Sequence, residues 1–248
     1  ADELVAEMKA GGGIITHEDL MKYEAQWRNP IVSKYKNHEI ISMAPPSSGG
    51  IALTQMLGMV ENYPLKDWGF HAPQTIHVMA EAERRAFADR AKHLGDPDFY
   101  QVPVKALLDK SYLKERMTNF NPNAATPSDA IQAGVIPKES DQTTHFSIID
   151  AEGNAVSVTT TLNTGYGSKI VVSGAGFFLN NEMDDLSAKV GIPNVYGLIG
   201  EKANSIQPEK RMLSSMTPTI TTKDGKLNMV IGTPGGSTII TSVFQVFL

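Results

Sequence analysis

The stretch that decides the fold reads TTHFSIIDAEGNAVSVTTTLNTGYG and occupies residues 143–167. Within it, two runs, residues 144–150 and 154–160, either alternate apolar with polar side chains or are β-branched. The sequence AEGN, residues 151–154, joins the two runs. Two such runs joined by a glycine-containing turn predict a β-hairpin. The middle of the chain is therefore predicted to be an antiparallel strand pair.

Further helices and strands are predicted on both sides of this hairpin. Capping signals and helical periodicity predict helices at residues 16–21, 51–62 and 73–94, and a last one after residues 233–237. Alternating or β-branched runs predict two more strand pairs, at residues 31–43 and 217–231. Because most helices come first and most antiparallel strands come later, the order predicts an α+β fold.

The composition excludes several classes of protein. Of 248 residues, 41% are hydrophobic and 20% are charged, which is ordinary for a globular protein. Lys and Arg number 22 against 27 Asp and Glu, so no basic surplus supports nucleic-acid binding. No apolar run approaches the ~18 residues of a membrane span. There is no cysteine, which excludes disulfides, thiolate metal sites and a thiol nucleophile.

Familiar catalytic motifs are missing as well. The sequence contains no HExxH or GxSxG pattern, and its glycine-rich segment, residues 232–237, lacks the spacing of a nucleotide-binding loop. That segment is either a plain strand-to-helix turn or a set of backbone amides able to hold an oxyanion. Both interpretations remain open on the residues alone.

Thr143 follows a segment of changed composition, residues 121–142, which is rich in Pro, Asn, Ser and Asp. Such a segment predicts a surface linker, where chain cleavage is sterically possible. A threonine exposed as a new N-terminus carries its own base, because its α-amine has a reference pKa near 7.7–8.0. A Thr pair at a strand start is otherwise ordinary β-propensity, so the residues alone do not decide between the two interpretations.

Several motifs, in order along the whole chain, resemble the γ-glutamyltransferase (γ-glutamyltranspeptidase) family of self-processing N-terminal-nucleophile hydrolases. They are the stretch at 143–167, PPSSGG at 45–50, FADR at 87–90, GDPDF at 95–99, NNEMDD at 180–185, PNVY at 193–196, LSSMTP at 213–218 and GTPGGS at 232–237. The resemblance implies an αββα sandwich. It also implies that this chain is an internal fragment of a precursor, an expectation that its apolar, uncapped end supports.

The resemblance divides the chain into two parts and gives roles to their junction. Residues 1–142 match the C-terminal part of a large subunit that ends in a flexible linker, about 121–142, and residues 143–248 match the N-terminal part of a small subunit. Thr143 is implied to attack the Gln142 carbonyl in processing and the substrate in catalysis. Thr161 is implied to orient Thr143, and Gly235 and Gly236 are implied to hold the oxyanion.

A second set of matching residues is implied to bind the two charges of a glutamyl group. Asn163, Glu182 and Asp185 match the ammonium side, and Ser214 and Ser215 match the carboxylate side. The arginine with which the family binds the donor's carboxylate has no counterpart in this sequence. Tyr196 lies in a segment that resembles the family's lid loop. For Glu182 and Asp185 a solvated acidic turn is the alternative. His145 lies on the face of Thr143, and we expect it to be structural because the α-amine already supplies the base.

The implied activity is γ-glutamyl transfer or hydrolysis on glutathione-like donors, through a γ-glutamyl-threonine intermediate, with an amino acid, a peptide or water as acceptor. The resemblance implies no metal or organic cofactor, a large/small subunit heterodimer and a periplasmic or secreted location. Two alternatives stay open: a related acylase or poly-γ-glutamate-processing enzyme, and a catalytically silent fragment.

Overall fold

The structure is a computed structural model that describes residues 1–131, 143–189, 192 and 201–248. Its helices are α1 Asp2–Ala10, α2 His17–Lys22, α3 Gly49–Val60, α4 Leu65–Trp68, α5 Pro73–His93, α6 Val104–Leu107, α7 Lys110–Arg116 and α8 Thr238–Phe247. Its strands are β1 Ile31–Tyr35, β2 His38–Ser42, β3 Thr143–Ile149, β4 Ala155–Thr161, β5 Thr219–Lys223 and β6 Lys226–Ile231. Single 3-10 turns lie at Ser128–Ile131, Glu182–Asp185 and Lys202–Asn204.

The predicted elements are confirmed to within a few residues at their ends. Helix α2 begins with the capping box that the sequence predicts, in which Thr16 and Asp19 cap each other. The β5–β6 turn uses left-handed backbone at Asp224 and Gly225, with φ of 52° and 75°. Among the described residues, no helix is long and apolar enough to cross a membrane.

The strands form two antiparallel sheets. The larger has the order β1-β2-β5-β6, and the smaller is the β3–β4 hairpin. Helix α3 packs on β1 and β2 of the larger sheet, and helices α5 and α8 pack against α3. The main core holds side chains such as Leu53, Val78 and Phe244, each at most 1% exposed. This burial of apolar surface is the main force that fixes the helices to the sheet. The layered α+β arrangement agrees with the predicted order.

Ser157 and His145 attach the hairpin to the end of the larger sheet. The Ser157 hydroxyl donates to the Ile231 carbonyl and accepts from the Thr219 amide, both at 3.1 Å. The His145 ring lies directly over Gly232, where an added Cβ would be only 2.2 Å from Cε1. These contacts fix the position of β3 relative to the turn that follows β6.

His145 is held by both of its ring nitrogens. Nδ1 lies 2.8 Å from the Thr159 hydroxyl, and Nε2 lies 3.0 Å from the Ser147 hydroxyl. Burial lowers the pKa of His145 below its ordinary value, because the charged form is less well solvated there. Both ring nitrogens are thus engaged by hydroxyls of the same hairpin, and the structural role of His145 stays a prediction.

Residues 121–131, the first part of the predicted linker, lie against α5. Glu81 accepts hydrogen bonds from the Thr126 amide at 2.9 Å and the Thr126 hydroxyl at 2.6 Å, and from Arg85 at 2.6 Å. Burial alone would raise the pKa of Glu81, but these hydrogen bonds hold it at about 2. Residues 132–142 lie outside the described residues, so the flexible connection stays a prediction.

The contact between Gly232 and His145 generates a prediction about stability. Gly232→Ala should lower the free energy of unfolding by roughly 1–3 kcal/mol, because its methyl group overlaps the imidazole. In a His145→Ala background the same change should have a much smaller effect, since the ring is gone. Urea unfolding of the two single variants and the double variant measures the difference.

Gly11→Ala is the matched control. Its φ of −87° suits any residue, and an added Cβ would come no closer than 3.4 Å to another atom. It should leave stability within about 0.5 kcal/mol of the parent. Equal effects of Gly232→Ala in both backgrounds would show that the ring does not limit the space at this glycine.

Candidate active site

Thr143 and Thr161 face each other across the β3–β4 hairpin. Thr143 is the first residue of β3 and is paired in register with Thr161, the last residue of β4. Side chains of directly paired residues in an antiparallel ladder have Cβ atoms about 4.5–5.5 Å apart. The Thr161 hydroxyl accepts a hydrogen bond from the Asn163 amide at 2.8 Å. Its own proton is therefore free to be donated, and Thr143 is a near neighbour.

Asn163 connects this threonine pair to an acidic turn. It is 8% exposed and has left-handed backbone, with φ of 76°. Its side-chain amide donates to the Asn181 carbonyl at 3.2 Å, and the Asn181 side chain in turn accepts from the Thr164 amide. Asn181 directly precedes the turn Glu182–Asp185. The predicted ammonium-side residues are thus adjacent in the fold.

Glu182 and Asp185 are partly buried acids with raised pKa values. Burial, with a smaller contribution from the charge of Asp185, raises the pKa of Glu182 to about 7. Burial raises the pKa of Asp185 to about 6, while the charge of Arg90 opposes this and that of Asp184 adds to it. A solvated acidic turn would not show such shifts. Two desolvated carboxylates instead suit a cation, which would favour their charged forms.

The two serine motifs form one structural unit. The amide of Ser48 donates to the Ser214 carbonyl at 2.8 Å, and the Ser214 amide donates to the Pro46 carbonyl at 3.1 Å. At Gly49 an added Cβ would lie 2.4 Å from the Met216 carbonyl oxygen. Glycine is required there because the backbones approach so closely. The PPSSGG segment of the first part of the chain therefore supports the SSMTP segment of the second.

Ser214 and Ser215 are both held as hydrogen-bond acceptors. The Ser214 hydroxyl accepts from the Met216 amide at 3.0 Å. The Ser215 hydroxyl accepts from the Arg90 guanidinium at 3.0 Å, and the same guanidinium donates to Ser48. Because an amide and a guanidinium can only donate, each serine keeps its own proton for another acceptor. A carboxylate is an acceptor that both hydroxyls could bind.

Arg90 belongs to the site although no role was predicted for it from the sequence. This arginine is 4% exposed and lies near the end of α5, between Ser215 and the charge of Asp185. A signal was present, since Arg90 ends the FADR motif. Its contact with Ser215 spans 125 residues, however, and sequence spacing cannot predict a contact of that range.

The glycine turn after β6 presents backbone amides. Gly235 and Gly236 have φ of 129° and 56°, which only glycine adopts readily. Their carbonyls accept from the amides of Thr238 and Ile239 at the start of α8. Within the described part of the chain, neither glycine amide donates a hydrogen bond. Unused amides before a helix suit a developing oxyanion.

Contacts join the candidate site residues that the structure describes. Thr143 pairs with Thr161, Thr161 binds Asn163, and Asn163 binds the residue before the acidic turn. The charge of Arg90 acts on Asp185, and its guanidinium donates to Ser215. The glycine turn is connected to β3 through the packing of His145 on Gly232. Two predicted site residues, Gln142 and Tyr196, lie outside the described residues.

Comparison with solved structures places this arrangement in a known fold. A cephalosporin acylase from Bacillus halodurans superposes with a TM-score of 0.79 and 24% sequence identity, over 99% of this chain and 42% of that one. An identity this low supports the fold alone. The predicted α+β fold class is confirmed.

Comparison with sequences gives the family. Relatives named glutathione hydrolase proenzyme, from Pseudomonas aeruginosa and Escherichia coli strain K12, are 53% and 52% identical to 99% of this chain. The chain spans 44% and 42% of the length of these relatives. The family model described as gamma-glutamyltranspeptidase matches residues 1–248. The chain therefore belongs to the gamma-glutamyltranspeptidase family.

Proposed function

We propose that the protein carrying this chain transfers or hydrolyses γ-glutamyl groups from glutathione-like donors, through a γ-glutamyl ester on Thr143. One observation carries the proposal: the fold connects a threonine pair to two partly buried carboxylates and two proton-donating serines. The family match and the relatives named glutathione hydrolase proenzyme support it. No metal or organic cofactor has a role in this proposal.

The pocket would recognise the α-carbon end of the donor. A γ-glutamyl group carries an ammonium and a carboxylate on one carbon, so its site needs acids and hydrogen-bond donors close together. Asn163, Glu182 and Asp185 would bind the ammonium. Ser214 and Ser215 would donate their free protons to the carboxylate. Pairing with the ammonium would lower the pKa values of both acids and offset the cost of their desolvation.

Catalysis would begin with the Thr143 hydroxyl. Its oxygen attacks the γ-amide carbon, and its proton passes to the α-amine of Thr143. Thr161 orients the nucleophilic residue, and the amides of Gly235 and Gly236 stabilise the tetrahedral oxyanion. The C–N bond then breaks, and the leaving amine takes the proton from the α-amine. Water or an amino acid attacks the ester, releasing the product and restoring the hydroxyl.

Processing would precede this cycle. The Thr143 hydroxyl attacks the Gln142 carbonyl and the peptide C–N bond breaks, so that an ester replaces the amide and the α-amine of Thr143 is freed. Water then hydrolyses the ester, which restores the Thr143 hydroxyl and leaves Gln142 with a free carboxylate. The products are a large-subunit segment ending at residue 142 and a small-subunit segment beginning at residue 143, which remain associated as a heterodimer. Tyr196 would belong to a lid over the pocket, and the family resemblance supports a periplasmic or secreted location.

The acylase and poly-γ-glutamate alternatives share the nucleophile but differ in the donor. A pocket with partly buried acids beside proton-donating serines favours a small zwitterionic donor over either of them. A silent fragment would have the same fold without turnover. Intact mass and activity on γ-glutamyl-p-nitroanilide distinguish these cases, measured on the full-length protein that contains these residues.

Processing generates the first functional prediction. The full-length protein should separate into two chains at the bond between Gln142 and Thr143, and Thr143→Ala should remain a single chain, because the attacking hydroxyl is gone. Thr144→Ala is the matched control, since Thr144 is exposed on the opposite face of β3 and should allow cleavage. Intact mass spectrometry distinguishes the forms. Cleavage after Gln142 in Thr143→Ala would disprove self-processing by this residue.

Donor binding generates the second functional prediction. Asp185→Ala should raise the KM for the γ-glutamyl anilide by at least about thirtyfold, because losing one partner of a desolvated charge pair costs about 2–5 kcal/mol. In the parent protein, KM should rise as pH falls through about 7 to 6, where Glu182 and Asp185 become neutral.

Glu152→Ala, in the exposed β3–β4 turn, is the control for this prediction and should leave KM unchanged. Processing should continue in Asp185→Ala, since the acid faces the donor. Loss of processing together with binding would instead assign Asp185 to the support of the fold.

A further inference from the structure

Asn204 lies between the two sides of the proposed pocket without belonging to either. It ends the turn Lys202–Asn204 and is 4% exposed. Its side-chain nitrogen donates to the Asp185 carbonyl at 2.7 Å. Its side-chain oxygen accepts from the Leu213 amide at 3.0 Å. One side chain therefore binds the backbone of the acidic turn and the backbone just before the serine pair.

The chemistry of this bridge requires an amide. One of its partners is a carbonyl, which only accepts, and the other is a backbone N–H, which only donates. A side-chain amide supplies a donor and an acceptor on one rigid plane, so it satisfies both at a fixed separation. Because the site is buried, losing either bond would leave an unsatisfied backbone group.

The backbone of Asn204 is fixed as well. Its amide donates to the Glu201 carbonyl at 3.1 Å, and its carbonyl accepts from the Ser187 amide at 2.8 Å. The carbonyl oxygen of the preceding residue, Ala203, accepts a hydrogen bond from the Lys210 ammonium at 2.9 Å. The same oxygen packs closely on Gly95, where an added Cβ would be only 2.3 Å away from it. The bridge is therefore anchored to the end of α5 and has little freedom to move.

The position of the bridge matters because the donor's two charged groups share one carbon. The acids of the ammonium side and the hydroxyls of the carboxylate side must then stand at one particular separation. Asn204 joins Asp185 directly to the residue before Ser214. We propose that Asn204 is a positioning residue that sets this separation and thereby selects donors carrying both charges. The proposal rests on the proposed function above.

The test compares three p-nitroanilides on the processed full-length protein: γ-glutamyl, γ-glutaryl, which lacks the ammonium, and 4-aminobutyryl, which lacks the carboxylate. Asn204→Leu keeps the side-chain shape but removes both bonds. For the γ-glutamyl donor its kcat/KM should fall at least tenfold, mainly through KM. For each donor with one charge it should change less than threefold, because such a donor uses one side of the pocket only.

Asn204→Asp tests whether the added charge or the lost positioning decides the change in KM. The new carboxylate would attract the donor's ammonium, so charge alone would lower KM for the γ-glutamyl donor. It also replaces the N–H that binds the Asp185 carbonyl, so lost positioning would raise KM. We expect KM to rise at pH 8.5. Ser205→Ala is the matched control, because among the described residues the Ser205 hydroxyl donates only to the Lys202 carbonyl, at the start of the adjoining turn. Its three kcat/KM values should stay within twofold of the parent's.

The outcomes separate this inference from the proposed function. A parent protein without activity on γ-glutamyl-p-nitroanilide would contradict the proposed function, and the inference would fail with it. With an active parent, equal losses on all three donors in Asn204→Leu would overturn the inference, since a general structural defect has that effect. An Asn204→Leu variant that keeps the parent's preference for the γ-glutamyl donor over the other two donors would overturn the inference as well. If these variants do not fold, Asn204→Ser is measured in the same way, because its hydroxyl is small enough to be accommodated.

Discussion

Arg90 donates from a buried guanidinium to the hydroxyls of Ser48 and Ser215, and its charge opposes the rise in the pKa of Asp185. An arginine stays protonated in proteins, so burying it is tolerated only where acceptors and negative charge surround it. Here those partners come from three separate segments. Lysine could not replace it, because a single ammonium lacks the planar set of donors that reaches both serines. Arg90 and Asn204 therefore both connect the segment that carries Asp185 to the segment that carries the serine pair.

Much of the fold could be predicted because its signals are local. The alternation in residues 144–150 and 154–160 with a turn between the two runs predicts the β3–β4 hairpin, and helices α3 and α5 follow from periodicity. The register that pairs Thr143 with Thr161 is known only from the structure. The short helix α7 was not predicted, although Asp109 caps its first turn. Seven residues give too little periodicity to distinguish a helix from a loop.

The site was predictable only in part. Family motifs named the residues that would touch the substrate. The structure links Thr143, Thr161 and Asn163 to one another, and it places Arg90 between Ser215 and the charge of Asp185. Arg90 and Asn204 were missed because their importance comes from bonds to other elements. Their side chains act on backbone groups and hydroxyls of residues distant in sequence, and such contacts exist only after folding.

The larger sheet takes β1 and β2 from before the proposed cleavage point and β5 and β6 from after it, with β2 and β5 paired at its centre. While the chain is continuous, that pairing is an intramolecular event at a high effective concentration. Once the connection is cut, the same pairing becomes an encounter between two molecules. A cleaved protein that unfolds at high dilution would lose its partner strand, so its durability would depend on how slowly it unfolds rather than on how readily it refolds.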